Sequence, residues 1–289
     1  MMSVATLRSE PETDATIHTH GAASVAFARA GGATRLTGLY QRDPLRVLFP
    51  DVPEGEIPTA VLVTTSGGLV GGDRLDVSVA VGDGAEAMMF GQAAEKVYRS
   101  AGPTSRIAVE LSVGRDGWLE WLPQETILFD GARLERQTRV EIAPGARALA
   151  GEILVFGRIA SGERLSRGLV RDAWEVRRQG RLAWADALRL EDDMAGVLAE
   201  PACFDGATAY ATVVHAGDDA AARLDLARSL LGRNEAGLRA GVTVVNGVLV
   251  ARWLGRDAET LRRAFGDFWA AFRAAAGGRR DTLPRLWHV

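Results

Sequence analysis

Residues 64–81 read TTSGGLVGGDRLDVSVAV, and this stretch indicates how the chain folds. Every second residue from Leu75 to Val81 is apolar, and the residues between them are small or polar. Such an alternation is typical of a β-strand with one buried face. The preceding run, TAVLVTT (59–65), has the composition of a strand in a buried sheet. The four glycines therefore predict a tight corner between two strands.

The glycine-rich corner does not fit a phosphate-binding loop. Such a loop needs a helix after it, because the helix N-terminus supplies the amide groups that bind the phosphate. Here a strand follows, and Asp73-Arg74 stands where a lysine and a hydroxyl residue are required. Two interpretations of Asp73 stay open. It caps the corner through nearby backbone amides, or the corner holds its carboxylate in position for a function.

Composition and charge exclude several classes of protein. The chain has 289 residues, a net charge of −3 and one cysteine, Cys203. This charge provides no basic surface for nucleic acid or an anionic membrane. A single cysteine excludes a disulfide framework and a cysteine-based metal site within one chain. No stretch resembles a signal peptide or a transmembrane helix, so we expect a cytoplasmic protein.

Strand patterns recur along most of the chain, and about a dozen strands are predicted by their alternation. Gly31-Gly32 predicts a hairpin turn near the beginning. Asn246-Gly247, between two apolar runs, is the strongest short hairpin signal in the sequence. These patterns favour a mainly-β protein.

Two helices are predicted in the C-terminal part. They span Asp218–Leu231, with Gly232 as the stop, and Asp257–Ala276, with the aspartate as a cap. The second helix has an apolar stripe that faces either the core or a groove of a partner. The stripe comprises Leu261, Ala264, Phe265, Phe268, Trp269 and Phe272.

The N-terminal segment 1–21 lacks a periodic pattern and is predicted to be a flexible tail. It contains His18 and His20, a spacing that can bind a metal, although an isolated tail favours no such role. The rest of the chain is predicted to be a single domain. Its parts are a strand-rich region (22–216) and a helix, hairpin and helix (217–289).

Acidic residues within apolar strands are candidates for function. Glu152 stands at the head of the run EILVF, and Asp186 lies in LAWADALRL. A carboxylate in such a position must be paired or hydrated. Either each acid pairs with an arginine, or Asp73, Glu152 and Asp186 line one polar passage through the β-structure.

Two further segments contain charged residues. Glu120 and Glu125 flank Pro123, and a pair of carboxylates can hydrolyse a glycosidic bond, so a carbohydrate-active β enzyme is an alternative. The segment GQAAEKVYRSAG (91–102) forms a surface ion-pair patch or a site. The sequence has no G-x-S-x-G or H-E-x-x-H motif for nucleophilic or metal-dependent hydrolysis.

Four segments together resemble the family of the urease accessory protein UreD, also called UreH. They read SGGLVGGDRL, AAEKVYRS, LEWLPQETILFDGARL and LPRLWHV, in the family's order and at its spacing. The likeness runs from about Val25 to Trp287. It implies stacked sheets in a β-helix-like arrangement with a small C-terminal helical part.

The resemblance implies a non-catalytic chaperone. UreD-like proteins join UreF and the GTPase UreG, and the assembly docks on apo-urease. GTP hydrolysis is coupled to delivery of Ni²⁺ into the urease active site, through a water-filled passage in the UreD-like protein. No tightly bound cofactor is expected, and a dimer formed through the accessory complex is compatible with this role. The alternative is a passive scaffold without a metal route.

The resemblance also implies which residues form the passage. Asp73 falls on the acid of the family's G-G-D motif, and Glu152 and Asp186 fall on two further acids. Glu95 stands where other members have a smaller residue. Separated carboxylates attract a cation while leaving most of its hydration shell in place, as a conduit requires. The accompanying structural motif comprises Gly67, Gly68, Gly71, Gly72, Tyr98 and Arg99.

Overall fold

The computed structural model describes residues 18–231 and 237–288. Within these ranges the strands are β1 (His20–Ala30), β2 (Ala33–Arg42), β3 (Leu45–Leu48), β4 (Thr59–Thr64), β5 (Arg74–Val81), β6 (Glu86–Gly91), β7 (Glu95–Val97), β8 (Ser105–Val113), β9 (Trp118–Leu122), β10 (Thr126–Leu128), β11 (Arg133–Ile142), β12 (Arg147–Phe156), β13 (Leu169–Arg178), β14 (Arg181–Glu191), β15 (Ala209–Ala216), β16 (Leu238–Val245) and β17 (Val248–Gly255). The α-helices are α1 (Met194–Ala199), α2 (Leu224–Leu230) and α3 (Ala258–Gly277).

The chain winds between two large sheets like the coils of a solenoid. It passes from β5 to β6, from β8 to β9 and from β11 to β12, and each step moves from the seven-stranded sheet to the ten-stranded sheet. Successive coils therefore pair in parallel within each sheet. The apolar residues of β5 point into the space between the sheets, where they are buried. The predicted mainly-β fold of stacked sheets is confirmed.

The ten-stranded sheet is covered on both faces. One face packs against the other sheet, and the second packs against α3 through side chains such as Phe265, Phe268 and Trp269. For this reason every residue of β9 is buried. The Asp257 carboxylate caps α3 by accepting a hydrogen bond from the Thr260 N–H at 2.7 Å. The core-facing interpretation of the apolar stripe is confirmed.

Both predicted hairpin turns are present. Asn246 and Gly247 have φ values of 49° and 76°, and they join β16 to β17. Gly31 and Gly32 have φ values of 58° and 82°, and they join β1 to β2. Positive φ at both central residues is the geometry of a type I′ turn, whose twist matches that of the flanking strands.

The first predicted helix is shorter than expected, since α2 begins only at Leu224. Residues 218–223 form turns instead. The Asp219 carboxylate there contacts His215 Nε2 at 2.8 Å and accepts a hydrogen bond from Arg223 Nε at 3.0 Å. The predicted stop, Gly232, lies outside the described residues. None of the helices in the described part of the chain combines the length and apolarity needed to cross a bilayer.

Several short elements were not predicted, namely β3, β6, β7 and α1. Each is too short to display a period, and tertiary pairing specifies it instead. The predicted tail lies mostly in residues 1–17, outside the described ranges. β1 begins at His20, whose Nε2 lies 2.6 Å from Asp76 Oδ2.

Candidate functional site

Asp73 holds the glycine-rich corner between β4 and β5. Its carboxylate accepts hydrogen bonds from the backbone N–H groups of Val70, at 2.9 Å, and of Thr19, at 2.8 Å. The residue is buried. The capping interpretation of Asp73 is therefore confirmed, while a role toward a cation stays a prediction.

The corner needs glycine because it packs closely on β7 and the residues after it. Gly68 has a φ of 143°, and a Cβ atom there would lie 2.5 Å from the carbonyl oxygen of Lys96. Leu69 is buried beside it, and its N–H donates to the same carbonyl at 2.7 Å. The Tyr98 hydroxyl donates to the carbonyl of Gly67 at 2.8 Å. Two of the four segments that carry the family resemblance, SGGLVGGDRL and AAEKVYRS, thus form one structural unit.

Glu95 lies on β7 and is half-buried. Its Oε2 atom accepts a hydrogen bond from Thr64 Oγ1 at 2.7 Å. Burial raises the pKa of Glu95 above its ordinary value, the hydrogen bond from Thr64 opposes this, and the charge of Asp73 adds to the rise. The side chain of Glu95 therefore faces inward. It does not belong to the surface ion-pair patch that was one interpretation of the segment 91–102.

Glu152 is buried on β12 and bound to Arg136 of β11. The Arg136 Nη2 atom donates to Glu152 Oε2 at 2.7 Å, and its Nε donates to Asp172 Oδ1 at 2.9 Å. Burial raises the pKa of Glu152 well above its ordinary value, and the neighbouring carboxylate of Asp172 raises it further against the influence of Arg136. The pairing of Glu152 with an arginine is confirmed.

Glu95 and Glu152 line the same cavity, which lies between the two sheets and has a volume of about 240 Å³. Arg136 also faces this cavity, as do the hydroxyl residues Thr64 and Thr126. Trp121, Trp174 and several aliphatic side chains complete the wall. The cavity thus presents the carboxylates of Glu95 and Glu152 and the cationic side chains of Arg136 and Lys96 within a largely apolar wall.

The other two predicted acids lie outside that lining. Neither Asp73 nor Asp186 is among the described residues that line the cavity. Asp186 lies on β14, where it accepts a hydrogen bond from Arg252 Nη2 at 2.5 Å. Burial raises the pKa of Tyr210 to about 12, and the charges of Glu152 and Asp186 both contribute to the rise. Tyr210 is therefore within electrostatic reach of both acids.

The proposed hydrolytic pair of Glu120 and Glu125 is contradicted by its surroundings. Glu120 is fully buried and accepts hydrogen bonds from the indole N–H of Trp269 at 3.0 Å and from Arg273 Nε at 2.8 Å. Glu125 forms an ion pair of 2.8 Å with Arg262. Because Glu120 is sealed beneath α3, it cannot protonate a bound sugar, and the carbohydrate-active interpretation is wrong.

Sequence reasoning missed Arg136 and Asp172. They are Cα partners in the parallel pairing of β11 with β13. Arg136 shares the inward register of Leu134 and Thr138, and Asp172 that of Val170. A charged residue at an inward position of an alternating strand is the signal that could have found each of them.

The chemistry of the site favours weak, oxygen-based contacts. No group of three or more His, Cys, Asp or Glu side chains is placed to hold a metal ion within residues 18–231 and 237–288. Glu95 and Glu152 instead line the cavity as separate carboxylates. Carboxylate and hydroxyl oxygens in such a setting attract a divalent cation without enclosing it.

Comparison with known proteins gives a consistent result. Residues 19–288 match the family model described as UreD urease accessory protein. A urease accessory protein UreD from Magnetococcus marinus is 45% identical over 292 aligned positions, which cover 100% of both chains. Another, from Methylobacterium sp. (strain 4-46), is 48% identical over 90% of this chain and 91% of its own. A third, from Rhodopseudomonas palustris (strain HaA2), is 42% identical over 92% of both chains.

Proposed function

Since the chain belongs to the UreD family of urease accessory proteins, a family that is not enzymatic, we propose that it takes part in the insertion of nickel into apo-urease. In this proposal it acts in the cytoplasm, in an assembly with UreF and the GTPase UreG. GTP hydrolysis by UreG drives the transfer, and the chain described here contributes an internal route for Ni²⁺.

The cavity between the two sheets is the observation that carries this proposal. It has a volume of about 240 Å³ and presents the carboxylates of Glu95 and Glu152. A cavity of this size has room for an ion together with several of the water molecules that it retains. A divalent cation loses its hydration shell reluctantly, so a roomy cavity with few direct ligands favours movement over retention.

Asp73 and Asp186 do not line the cavity, and in this proposal they lie at the two ends of the route. The charge of Asp73 reaches Glu95, and the charges of Glu152 and Asp186 both reach Tyr210. In this proposal the order along the route is Asp73, Glu95, Glu152 and Asp186. An ion that follows it meets these four carboxylates one at a time, and each attracts it only weakly.

The proposal is tested by neutralising the two cavity acids in turn. Glu95→Gln and Glu152→Gln keep the shape and hydrogen-bonding capacity of each side chain but remove its charge. When each variant is produced together with the urease subunits, UreF and UreG, we expect normal co-purification of the assembly. We also expect a reduced nickel content of urease, measured by elemental analysis.

Glu110→Gln is the matched control, because Glu110 is a half-exposed acid that pairs with Arg139 on the outer surface. It should leave the nickel content of urease unchanged. If Glu95→Gln and Glu152→Gln also leave it unchanged while the assembly forms, the cavity is not a nickel route. The passive scaffold would then be the remaining function.

A further inference from the structure

Arg136 occupies the inner wall of the cavity with a fully bound guanidinium. Its Nη1 donates to Thr126 Oγ1 at 3.0 Å, its Nη2 to Glu152 at 2.7 Å and its Nε to Asp172 at 2.9 Å. A second hydrogen bond joins Nη2 to Asp172. Arg136 is 7% exposed, so these contacts are made away from bulk water. An arginine held in this way stays charged, because its pKa is raised further by the two acids.

The oxygen atoms around this guanidinium are those that a divalent cation would use. The carboxylates of Glu152 and Asp172 both accept hydrogen bonds from Nη2, and the hydroxyl of Thr126 accepts one from the neighbouring Nη1. Glu152, Thr126 and Arg136 face the cavity, while Asp172 does not line it. An ion that binds Glu152 from the cavity would need Asp172 as its second carboxylate ligand. Asp172 is bound to Arg136, so the ion meets a positive charge where it would need that ligand.

We propose that Arg136 is a resident cation that occupies a latent divalent-metal site formed by Glu152, Asp172 and Thr126, and so keeps a travelling ion from being retained there. This inference rests on the proposed function, because it explains how a buried pair of acids can border a route without trapping its cargo. The guanidinium cancels one carboxylate charge and repels a second cation at short range. Arg136 is thus a positioning residue that keeps Glu152 a single, weak contact.

The test measures metal binding by the isolated full-length protein, without urease. Arg136→Gln removes the resident charge and leaves the three oxygen ligands. We expect one Ni²⁺ ion per chain to bind in equilibrium dialysis, roughly tenfold or more tightly than to the wild type, because a unit charge has been removed a few ångströms away.

Arg139→Gln is the matched control. Arg139 lies on the same strand, is half exposed and pairs with Glu110 at 2.9 Å on the outer surface. It should bind Ni²⁺ as the wild type does. Arg136→Gln combined with Asp172→Asn should lose the gained site, because a single carboxylate remains.

Two results would overturn the inference. Arg136→Gln that binds Ni²⁺ no better than the wild type shows that no latent site exists. Arg136→Gln that stays unfolded even when Ni²⁺ is added during refolding shows that the three oxygens cannot accept a metal in place of the guanidinium. Neither result depends on urease, whereas the proposed nickel route fails only if the Glu95 and Glu152 variants leave urease fully loaded.

Discussion

Among the described residues, two buried arginines each bind two carboxylates, and their surroundings differ. Arg273 of α3 binds Glu120 at 2.8 Å and Glu56 at 2.9 Å, beneath a helix that covers the ten-stranded sheet. Arg136 binds Glu152 and Asp172 beside the cavity. The charges are the same in both clusters, but Arg136 and Glu152 line the cavity between the sheets, whereas Arg273 and Glu56 line a separate cavity beside the C-terminal segment, and Glu120 is fully buried.

This difference indicates that the Arg273 cluster has a structural role. Glu120 also accepts indole hydrogen bonds from Trp118 and Trp269, and Arg273 donates to the backbone carbonyl of Arg280. The Arg273 cluster thereby fastens β9, α3 and the C-terminal segment to one another. The Arg136 cluster joins only neighbouring coils of the solenoid and leaves one acid facing the cavity. The following predictions separate the two clusters by experiment.

Arg273→Gln should have the largest effect. It leaves Glu120 without its cation in a fully buried position, so we expect the free energy of unfolding to fall by about 3–5 kcal/mol, measured by urea denaturation. Combining it with Glu120→Gln should recover part of that loss, because no unpaired charge then remains at the fully buried position of Glu120. A loss below about 1 kcal/mol would mean that the cluster does not fasten α3 to the sheet.

Arg136→Gln should also destabilise the protein, but added Ni²⁺ should restore part of the lost stability. At a Ni²⁺ concentration of about 100 times the dissociation constant, the gained site should restore about 2.7 kcal/mol of stability. Arg273→Gln should gain much less, since Glu120 is sealed under α3 and only Glu56, whose side chain is 12% exposed, borders a cavity. Thermal denaturation of both variants with and without Ni²⁺ makes the comparison. An equal response of the two variants would contradict the distinction.

The pH dependence of stability should have opposite signs in the two clusters. Burial raises the pKa of Glu152 above 4.5, so its contribution to stability is complete below pH 4.5 and is lost as pH rises through its folded pKa. Burial alone would raise the pKa of Glu56 too, but hydrogen bonds from Arg273 and from the Ile57 backbone lower it. The Glu56 contribution is therefore present above pH 4.5 and is lost as pH falls through its folded pKa.

Gln variants of these two acids test the signs. Relative to the wild type, Glu152→Gln should become more stable as pH rises from 4.5, whereas Glu56→Gln should become less stable as pH rises toward 4.5 from below. Differences on the order of 1 kcal/mol are expected in urea denaturation between acidic and neutral pH. Parallel curves for the two variants would remove the electrostatic distinction between the clusters.

Asp186→Asn should have the smallest effect on stability. Asp186 and Arg252 are partly exposed, with side-chain exposures of 36% and 42%, so the pair should contribute no more than about 1 kcal/mol. The same substitution should lower the nickel content of urease if Asp186 lies at one end of the route. A large loss of stability with unchanged nickel content would make Asp186 a structural residue instead.

Local patterns predicted most of the fold. The alternation in β5, the capping Asp257 and the Asn246-Gly247 turn each depend on residues close together in sequence. Strands β3, β6 and β7 escaped prediction because three to six residues are too few to show a period. Their limits are set by pairing with neighbouring coils.

The candidate site was predicted less completely, for a physical reason. Glu152 was found because an acid in an apolar run is conspicuous, but its partners come from other coils. Arg136 and Asp172 meet only through the register of β11 with β13, which the sequence alone does not specify. Glu120 was misjudged because β9 is buried on both faces, so no alternation showed which way its side chain points.

The covering of β9 by α3 has a consequence for synthesis of the chain. Trp269 and Arg273 bind Glu120 across 149 and 153 residues of sequence. At a translation rate of about 5–20 residues per second, one face of the nascent sheet waits roughly ten seconds for its helix to leave the ribosome. During that interval the indole and aliphatic side chains on this face of the sheet are exposed and can aggregate. A chain that terminates before α3 leaves this face exposed permanently.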